Sequence, residues 1–264
     1  MVSEFLIRLL IFLCLFIIFA TLEIWIPRRT LAQSRGRRWT TNFGLTILNT
    51  ISLRIMAFAL PLLAIGAAID ASQSGWGLLN KLSLPAFLEI ILVIMIFDFA
   101  IWFQHLMTHK IPILWQLHSV HHADRDFDVT TALRFHPLEI ALSMLAKIGL
   151  VYAVGPSALA VLLFEIILNG TAMFNHSNIK LPNSIDWILR MFLVTPDMHR
   201  VHHSVHRAEH DSNYGFSLSV WDRAFGTYVS QPSDGHSNML IGLECQDDRP
   251  SRLVWSLIMP FRHK

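Results

Sequence analysis

From Phe5 to Ile26 the chain reads FLIRLLIFLCLFIIFATLEIWI, twenty-two residues with charge only at Arg8 and Glu23. The hydrocarbon core of a bilayer is about 30 Å thick and takes about 20 apolar residues of helix to cross. No water reaches that core to satisfy backbone N–H and C=O groups, so an apolar run of this length crosses as a helix. A cleaved signal peptide has a shorter apolar run followed by an A-x-A-like site. This run is long and no such site follows, so a retained span is expected. Hydrophobic residues make up 53% of the chain and charged residues 15%, against about 25% charged in soluble domains. An ordinary soluble fold and disorder are both excluded by that balance.

A second span is expected over about 43–69, kinked at Pro61, whose ring removes a backbone donor. A third covers about 86–107, approached through the polar loop SQSGWGLLNKLSLP. A fourth apolar stretch, 138–168, is interrupted at Gly155-Pro156. That break predicts two short helices, 138–154 and 157–169, in a hairpin that is tilted or re-entrant. Residues 27–42 carry Arg28, Arg29, Arg35, Arg37 and Arg38 and no acid, whereas the loop around 70–85 carries only Asp70 and Lys81. The positive-inside rule then places the arginines in the cytoplasm, the N-terminus outside and the end of the third span on the cytoplasmic side. The net charge of +2 implies no nucleic-acid partner. The two cysteines, Cys14 in an apolar run and Cys245 in a polar segment, are expected neither to pair nor to bind zinc.

The informative excess is histidine, fourteen residues, twelve of them between His105 and His210. Three groups stand out: His105 with His109, His118 with His121 and His122, and His199 with His202 and His203. Residues at i, i+3 and i+4 share a helix face, so each group can aim imidazoles at one ion and offer a neighbour to a second. Neutral imidazole suits iron, zinc and copper. These eight ligands are too many for one ion and predict two. The competing reading is a set of solvated, titrating histidines. No H-E-x-x-H, E-x-x-H, Walker or dinucleotide-binding motif is present. The expected fold is an all-α integral membrane protein with about three long spans plus a short helical hairpin and a cytoplasmic-face helical metal-binding cap. Its parts are 1–94, the membrane spans and basic loop; 95–230, the histidine boxes; and 231–264, a tail.

H-x-x-x-H, then H-x-x-H-H, then a distant H-x-x-H-H resembles the membrane fatty acid hydroxylase / sterol desaturase superfamily. The flanking residues agree: Leu114-Trp115, Thr131-Ala132-Leu133-Arg134, His136-Pro137-Leu138-Glu139, Asn175-His176, Asp211-x-Asn213-Tyr214-Gly215 and Trp221-Asp222-Arg223-x-Phe225-Gly226-Thr227. The likeness covers about 95–230 and implies a fatty acid hydroxylase-like domain with two iron ions (zinc possible after isolation), O2 and a lipid substrate. At Lys110 the ether-lipid enzymes of the superfamily tend to carry glutamate. His176 matches a position where similar proteins supply a histidine and is a ninth expected ligand, its other reading being a helix cap. Asp211 and Asp222 are candidates, by resemblance, to orient ligand imidazoles.

Asp98, Trp102, His105 and His109 fall on one helix face. An acid inside a span is costly and usually functional, so Asp98 is expected to accept from a ligand imidazole; the alternative is a grip on a partner helix. Glu165 invites the same reading. His136, before Pro137 at a helix start, is placed at the substrate mouth or in a structural role. His206 and His210 are read as solvated, and His236 and His263 are unassigned. Trp102, Phe103 and Trp115 are read as core and interfacial belt. The expected function is an O2-dependent lipid hydroxylase or desaturase, an oxidoreductase fed by an external electron-donor protein. A zinc-dependent membrane hydrolase and a non-enzymatic membrane metal-binding protein are the alternatives.

Overall fold

The computed structural model describes residues 2–59 and 63–262. In chain order the helices are α1 (Val2–Trp25), α2 (Arg35–Ala59), α3 (Ala64–Gln73), α4 (Ala86–Lys110), α5 (Pro112–His122), α6 (Pro137–Val154) and α7 (Ala158–Asn175). Six short ones follow: α8 (Asn183–Leu189), α9 (Pro196–His202), α10 (Arg207–His210), α11 (Val220–Ala224), α12 (Gly235–Asn238) and α13 (Leu253–Ile258). No strand occurs among the described residues, only isolated bridges at Pro27–Ile179, Leu193–Leu218 and Ser204–Ile241.

Among the described residues, four helices are long and apolar enough to cross a bilayer: α1 from Phe5, α4, α6 and α7. The expected span over 43–69 is instead divided between α2 and α3, neither of which is among the four. The physical reason is polar content and length. α2 carries Arg35, Arg37, Arg38, Asn42, Asn49 and Arg54, and α3 has ten residues. The kink expected at Pro61 lies outside the described residues, as does His263.

The break at Gly155-Pro156 forms as read. Gly155 ends α6 in the left-handed conformation at φ 70°, which glycine adopts without a Cβ penalty. Ser157 then caps α7, accepting from Ala160 N. Both hairpin helices have 18 residues, about 27 Å each, close to a full crossing. The second runs six residues beyond the expected Asn169, so that it delivers His176 to the centre of the molecule.

Small residues let α3 sit tightly in this bundle. Ala64, Ala67 and Ala68 pack with Val93 and Phe97 of α4, Val151 of α6, and Ala160, Val161 and Phe164 of α7. Phe97 meets Phe164 edge to face at 5.2 Å. Outward faces carry exposed Ile17, Ile47, Ile55, Phe58, Phe87 and Ile91, apolar surface suited to lipid.

The basic segment is not a free strip of charge. Arg38, wholly buried, donates to both oxygens of Asp124 at 2.7 and 2.8 Å and to Asp128 at 2.5 Å. Arg28 reaches Asp197, Arg29 the carbonyl of Met239, and Arg35 the carboxylate of Glu23. Glu23, near the end of α1, also accepts from Val129 N at 2.7 Å and Asn178 N at 2.8 Å. Arg134 donates to Val120 O, Asn42 Oδ1, Pro250 O and Ser256 Oγ. The N-terminal segment and the 231–264 tail therefore both brace the region that carries the second histidine group.

Losing one partner of a buried ion pair strands the other and costs about 3–5 kcal/mol. Arg38→Met is therefore expected to lower stability by about that amount, read by denaturant unfolding in micelles. Arg37→Met, at an exposed position, is expected to change little.

Candidate metal centre

Three chain reversals bring the histidines together. The end of α4 presents His105 and His109 one turn apart. The extended Ile111 and Pro112 at the first turn of α5 redirect the chain, and α5 returns His118, His121 and His122. The end of α7 supplies His176, and α9 supplies His199, His202 and, at its cap, His203. All nine are buried. They form two sets whose ligand atoms lie within 4.8 Å of one another: His105, His109, His118, His122 and His202; and His121, His176, His199 and His203. These are the nine expected from sequence.

Helix geometry explains the partition. In α5, His118 and His122 are four apart and share the first set, while His121 is rotated toward the second. In α9, His199 and His203 are four apart and share the second, while His202 turns toward the first. Each H-x-x-H-H group thus serves both sets.

Five of the nine rings have their outer nitrogen held by an acceptor. His105 Nδ1 lies 2.8 Å from Tyr214 O, His118 Nδ1 2.6 Å from Glu139 Oε1 and His121 Nδ1 3.2 Å from Arg134 O. His176 Nδ1 lies 2.8 Å from Ala172 O and His202 Nδ1 2.6 Å from Ser212 O. An acceptor at Nδ1 places the proton there and leaves the Nε2 lone pair free. Those lone pairs face one another. His105 and His118 bring Nε2 atoms to 3.1 Å, and so do His121 and His176; His199 Nε2 also lies 3.1 Å from His176 Nε2, but its Nδ1 has no acceptor, so this ring can donate to His176. Both ring nitrogens of His109 and His203, and Nε2 of His122 and His202, are buried without a partner. Facing lone pairs in a dry site are unfavourable unless a cation lies between them. An all-nitrogen donor set of this kind fits first-row transition metals. Burial, reinforced by neighbouring imidazoles, holds His121, His122, His199, His202 and His203 well below the ordinary value of 6.5. His176 is pushed down to about 3, first by burial. Neutral rings are the form that ligates.

The acids expected beside the imidazoles act at one remove. Asp98 touches no histidine: Oδ2 accepts from Trp221 Nε1 at 2.9 Å and Leu218 N at 3.2 Å. Asp222 accepts from Trp102 Nε1 and from the amides of Tyr214 and Gly215. It thereby fixes the Tyr214 carbonyl that receives His105. A Cβ on Gly215 would lie 2.8 Å from Asp222 Oδ2, which is why the close approach needs glycine. The sequence could not show that the Tyr214 backbone intervenes between Asp222 and His105. Asp211 Oδ1 lies 3.6 Å from His109 Nδ1, while its other oxygen pairs with Lys110 at 3.0 Å. His109, His210 and Asp211 form a third, partly exposed group.

His136 makes structural contacts and does not line the cavity that adjoins the first set. Its Nδ1 caps α6 by accepting from Leu138 N, and Nε2 faces Leu257 O. Glu165 binds Arg8 and Lys147 instead of an imidazole. His206 is exposed and pairs with Asp234. His236 is buried near Asp197, outside both sets. Trp102 is core, Phe103 is exposed, and Trp115 stacks on His210 at 5.2 Å beside His109 and His122. Glu139, the partner of His118, was not assigned from sequence. The available signal was an acid in the first turn of the helix that follows the second histidine group.

A cavity of about 320 Å³ adjoins the first set, with His105, His118 and Glu139 in its wall and Ile101, Leu133, Phe135, Ile140, Met144 and Leu168 around it.

Residues 90–227 match the family model described as fatty acid hydroxylase. Over 139 residues the chain is 34% identical to alkylglycerol monooxygenase of Xenopus tropicalis and 32% identical to that of Homo sapiens, covering 51% of this chain and 29% of each relative. Over 149 residues it is 28% identical to ornithine lipid hydroxylase OlsE of Rhizobium tropici, covering 56% of this chain and 44% of that protein. The chain thus spans less than half the length of these curated relatives. The alkylglycerol monooxygenases are similar despite Lys110, which here is occupied with Asp211. No solved structure matches the chain.

His109→Ala and His203→Ala each remove one ligand from a different set. Each is expected to lose about half the bound metal by elemental analysis, whereas His236→Ala is expected to keep full loading. A pH effect follows for the metal-stripped protein. Unfolded imidazoles take up protons near pH 6.5, whereas the buried ones titrate lower, so the unfolded state binds more protons in acid. Stability is expected to be intact above about pH 7 and to fall as pH drops below that, measured by unfolding across a pH series.

Proposed function

The chain belongs to the fatty acid hydroxylase family, and on that premise we propose that it is an integral membrane lipid hydroxylase, an O2-dependent oxidoreductase with two iron ions. His105, His109, His118, His122 and His202 would hold one ion, and His121, His176, His199 and His203 the other. Bound there, the irons would supply O2 activation and cleavage of an unactivated C–H bond, using electrons from a separate redox protein. Zinc is an expected contaminant of isolated protein, because such nitrogen sites bind it more tightly than ferrous iron.

The chain's own residues supply the rest. Glu139 and the carbonyls of Tyr214, Arg134, Ala172 and Ser212 keep the imidazole protons on the outer nitrogens and the lone pairs inward. Asp98, Asp222 and Asp211 brace the segments that carry those groups. The apolar wall of the cavity excludes water and receives hydrocarbon beside His105 and His118. Lipid is the substrate class that such a cavity, set among apolar helices, admits. Hydroxylation is favoured over desaturation because the similar proteins named above are hydroxylases or monooxygenases.

Segment 95–230 carries the chemistry, with 1–94 and 231–264 as membrane anchor and brace. The N-terminus is placed outside and the histidines on the cytoplasmic side. This sidedness rests on the basic segment 28–38, which lies at the same end of the molecule as the histidines through Arg28–Asp197 and Arg38–Asp124.

The observation that carries this reading is the pair of buried histidine sets, the first of them beside a largely apolar cavity. Protein purified without oxygen is expected to contain two irons per chain and to consume O2 in a lipid-dependent way when given a reductant. A single tightly held zinc with no O2 uptake would overturn it.

A further inference from the structure

The cavity, its wall largely apolar but also carrying Thr46, Asn49, Gln104, Thr108 and Ser143, becomes charged at the level farthest along α6 and α7 from the histidines. Arg8 of α1, Lys147 of α6 and Glu165 of α7 all face it. Arg8 Nη2 donates to Glu165 Oε2 at 2.6 Å, and Lys147 Nζ to Glu165 Oε1 at 2.8 Å. The side chains of Glu165 and Lys147 are 6% and 13% exposed. Asn169, one turn beyond Glu165, shares the same wall.

Charge within hydrocarbon is costly and marks function more often than structure. The cluster joins α1, α6 and α7 and at the same time faces the cavity, so a molecule held in the cavity meets it. Their distance from the histidines follows from helix rise. Glu139, against His118, and Lys147 are eight residues apart on α6, about 12 Å. Glu165 and His176 are eleven apart along α7, about 16 Å. The cavity therefore joins a polar end to the first histidine set over the length of a hydrocarbon segment.

We infer that the Arg8–Glu165–Lys147 cluster binds the uncharged, hydrogen-bonding end of an amphiphilic lipid, a hydroxyl in the simplest case, whose chain extends to His105 and His118. The inference rests on the lipid hydroxylase reading and names its substrate class. A hydroxyl donates to Glu165 while accepting from Lys147, completing the cluster without breaking it. An anionic headgroup would have to displace Glu165 from two cations, and a cationic one would meet both. The oxidised carbon is then set by its distance from the polar end of the substrate.

The test uses the full chain in lipid nanodiscs, with tritiated 1-hexadecanol as the probe and unlabelled 1-hexadecanol and n-hexadecane as competitors. A hydrogen bond to a charged group makes the alcohol bind about tenfold more tightly. Lys147→Met is expected to abolish most of that preference with metal content unchanged. Should that variant fail to fold, Asn169→Leu leaves the ion pairs in place and is expected to weaken the preference in the same direction. A cluster that only clamps helices predicts lower thermal stability with the preference intact, and that result would overturn the inference. With O2 and a reductant, 1-tetradecanol, 1-hexadecanol and 1-octadecanol are expected to be hydroxylated at a constant position counted from the alcohol. A constant position counted from the methyl end would also overturn it. An intact binding preference with no product from any alcohol supports the binding site and removes the hydroxylase reading, so the two failures are distinguishable.

Discussion

Imidazole lone pairs that face one another in a buried space are the constraint on which this molecule depends. Nitrogens 3.1 Å apart across His105–His118 and His121–His176, with the protons held on the opposite ring nitrogens, have nothing to gain from each other when neutral and repel when protonated. A cation between them turns that cost into bonding, and the free energy of metal binding becomes folding free energy. The outer ring nitrogens decide which lone pairs point inward, so the carbonyls of Tyr214, Arg134, Ala172 and Ser212 and the carboxylate of Glu139 are as much a part of the site as the histidines.

Holding those acceptors still takes a second layer of buried charge. Asp222 positions Tyr214 and Gly215, and Asp98 holds the neighbouring loop through Leu218 and Trp221. Arg134 offers its carbonyl to His121 while its guanidinium ties α2 to the C-terminal segment. Arg38 clamps Asp124 and Asp128 immediately after the second histidine group. Each of these groups is expensive to bury alone and affordable only with its partners in place. The frame is therefore cooperative: segments far apart in sequence must arrive together.

The apolar bundle and the polar cap have opposite requirements, and α4, α6 and α7 meet both. Their outer faces are hydrocarbon, and their ends at the cap supply His105, His109, Glu139 and His176. At the other end of the cavity Arg8, Lys147 and Glu165 introduce charge where lipid-facing helices would carry none. A cavity with a histidine end and an ionic end discriminates between orientations of a bound amphiphile, which a purely greasy pocket would not.

Much of this was legible in the residues. Long apolar runs dictate helices because lipid leaves no other partner for the backbone, and histidines four apart share a helix face by geometry alone. Those two regularities were enough to identify the spans around α1, α4 and the hairpin and to select eight of the nine clustered imidazoles; the ninth, His176, came from the family resemblance. They could not divide the nine between two sets, since that depends on how α4, α5, α7 and α9 are rotated against one another. Nor could they show that Asp222 reaches His105 through the Tyr214 backbone, that His136 caps a helix, or that Arg28, Arg35 and Arg38 pair with Asp197, Glu23, Asp124 and Asp128. Sequence determines which side chains a local element presents. Which partner each one meets is a long-range matter, decided only when distant segments pack and every buried charge and lone pair must find its complement.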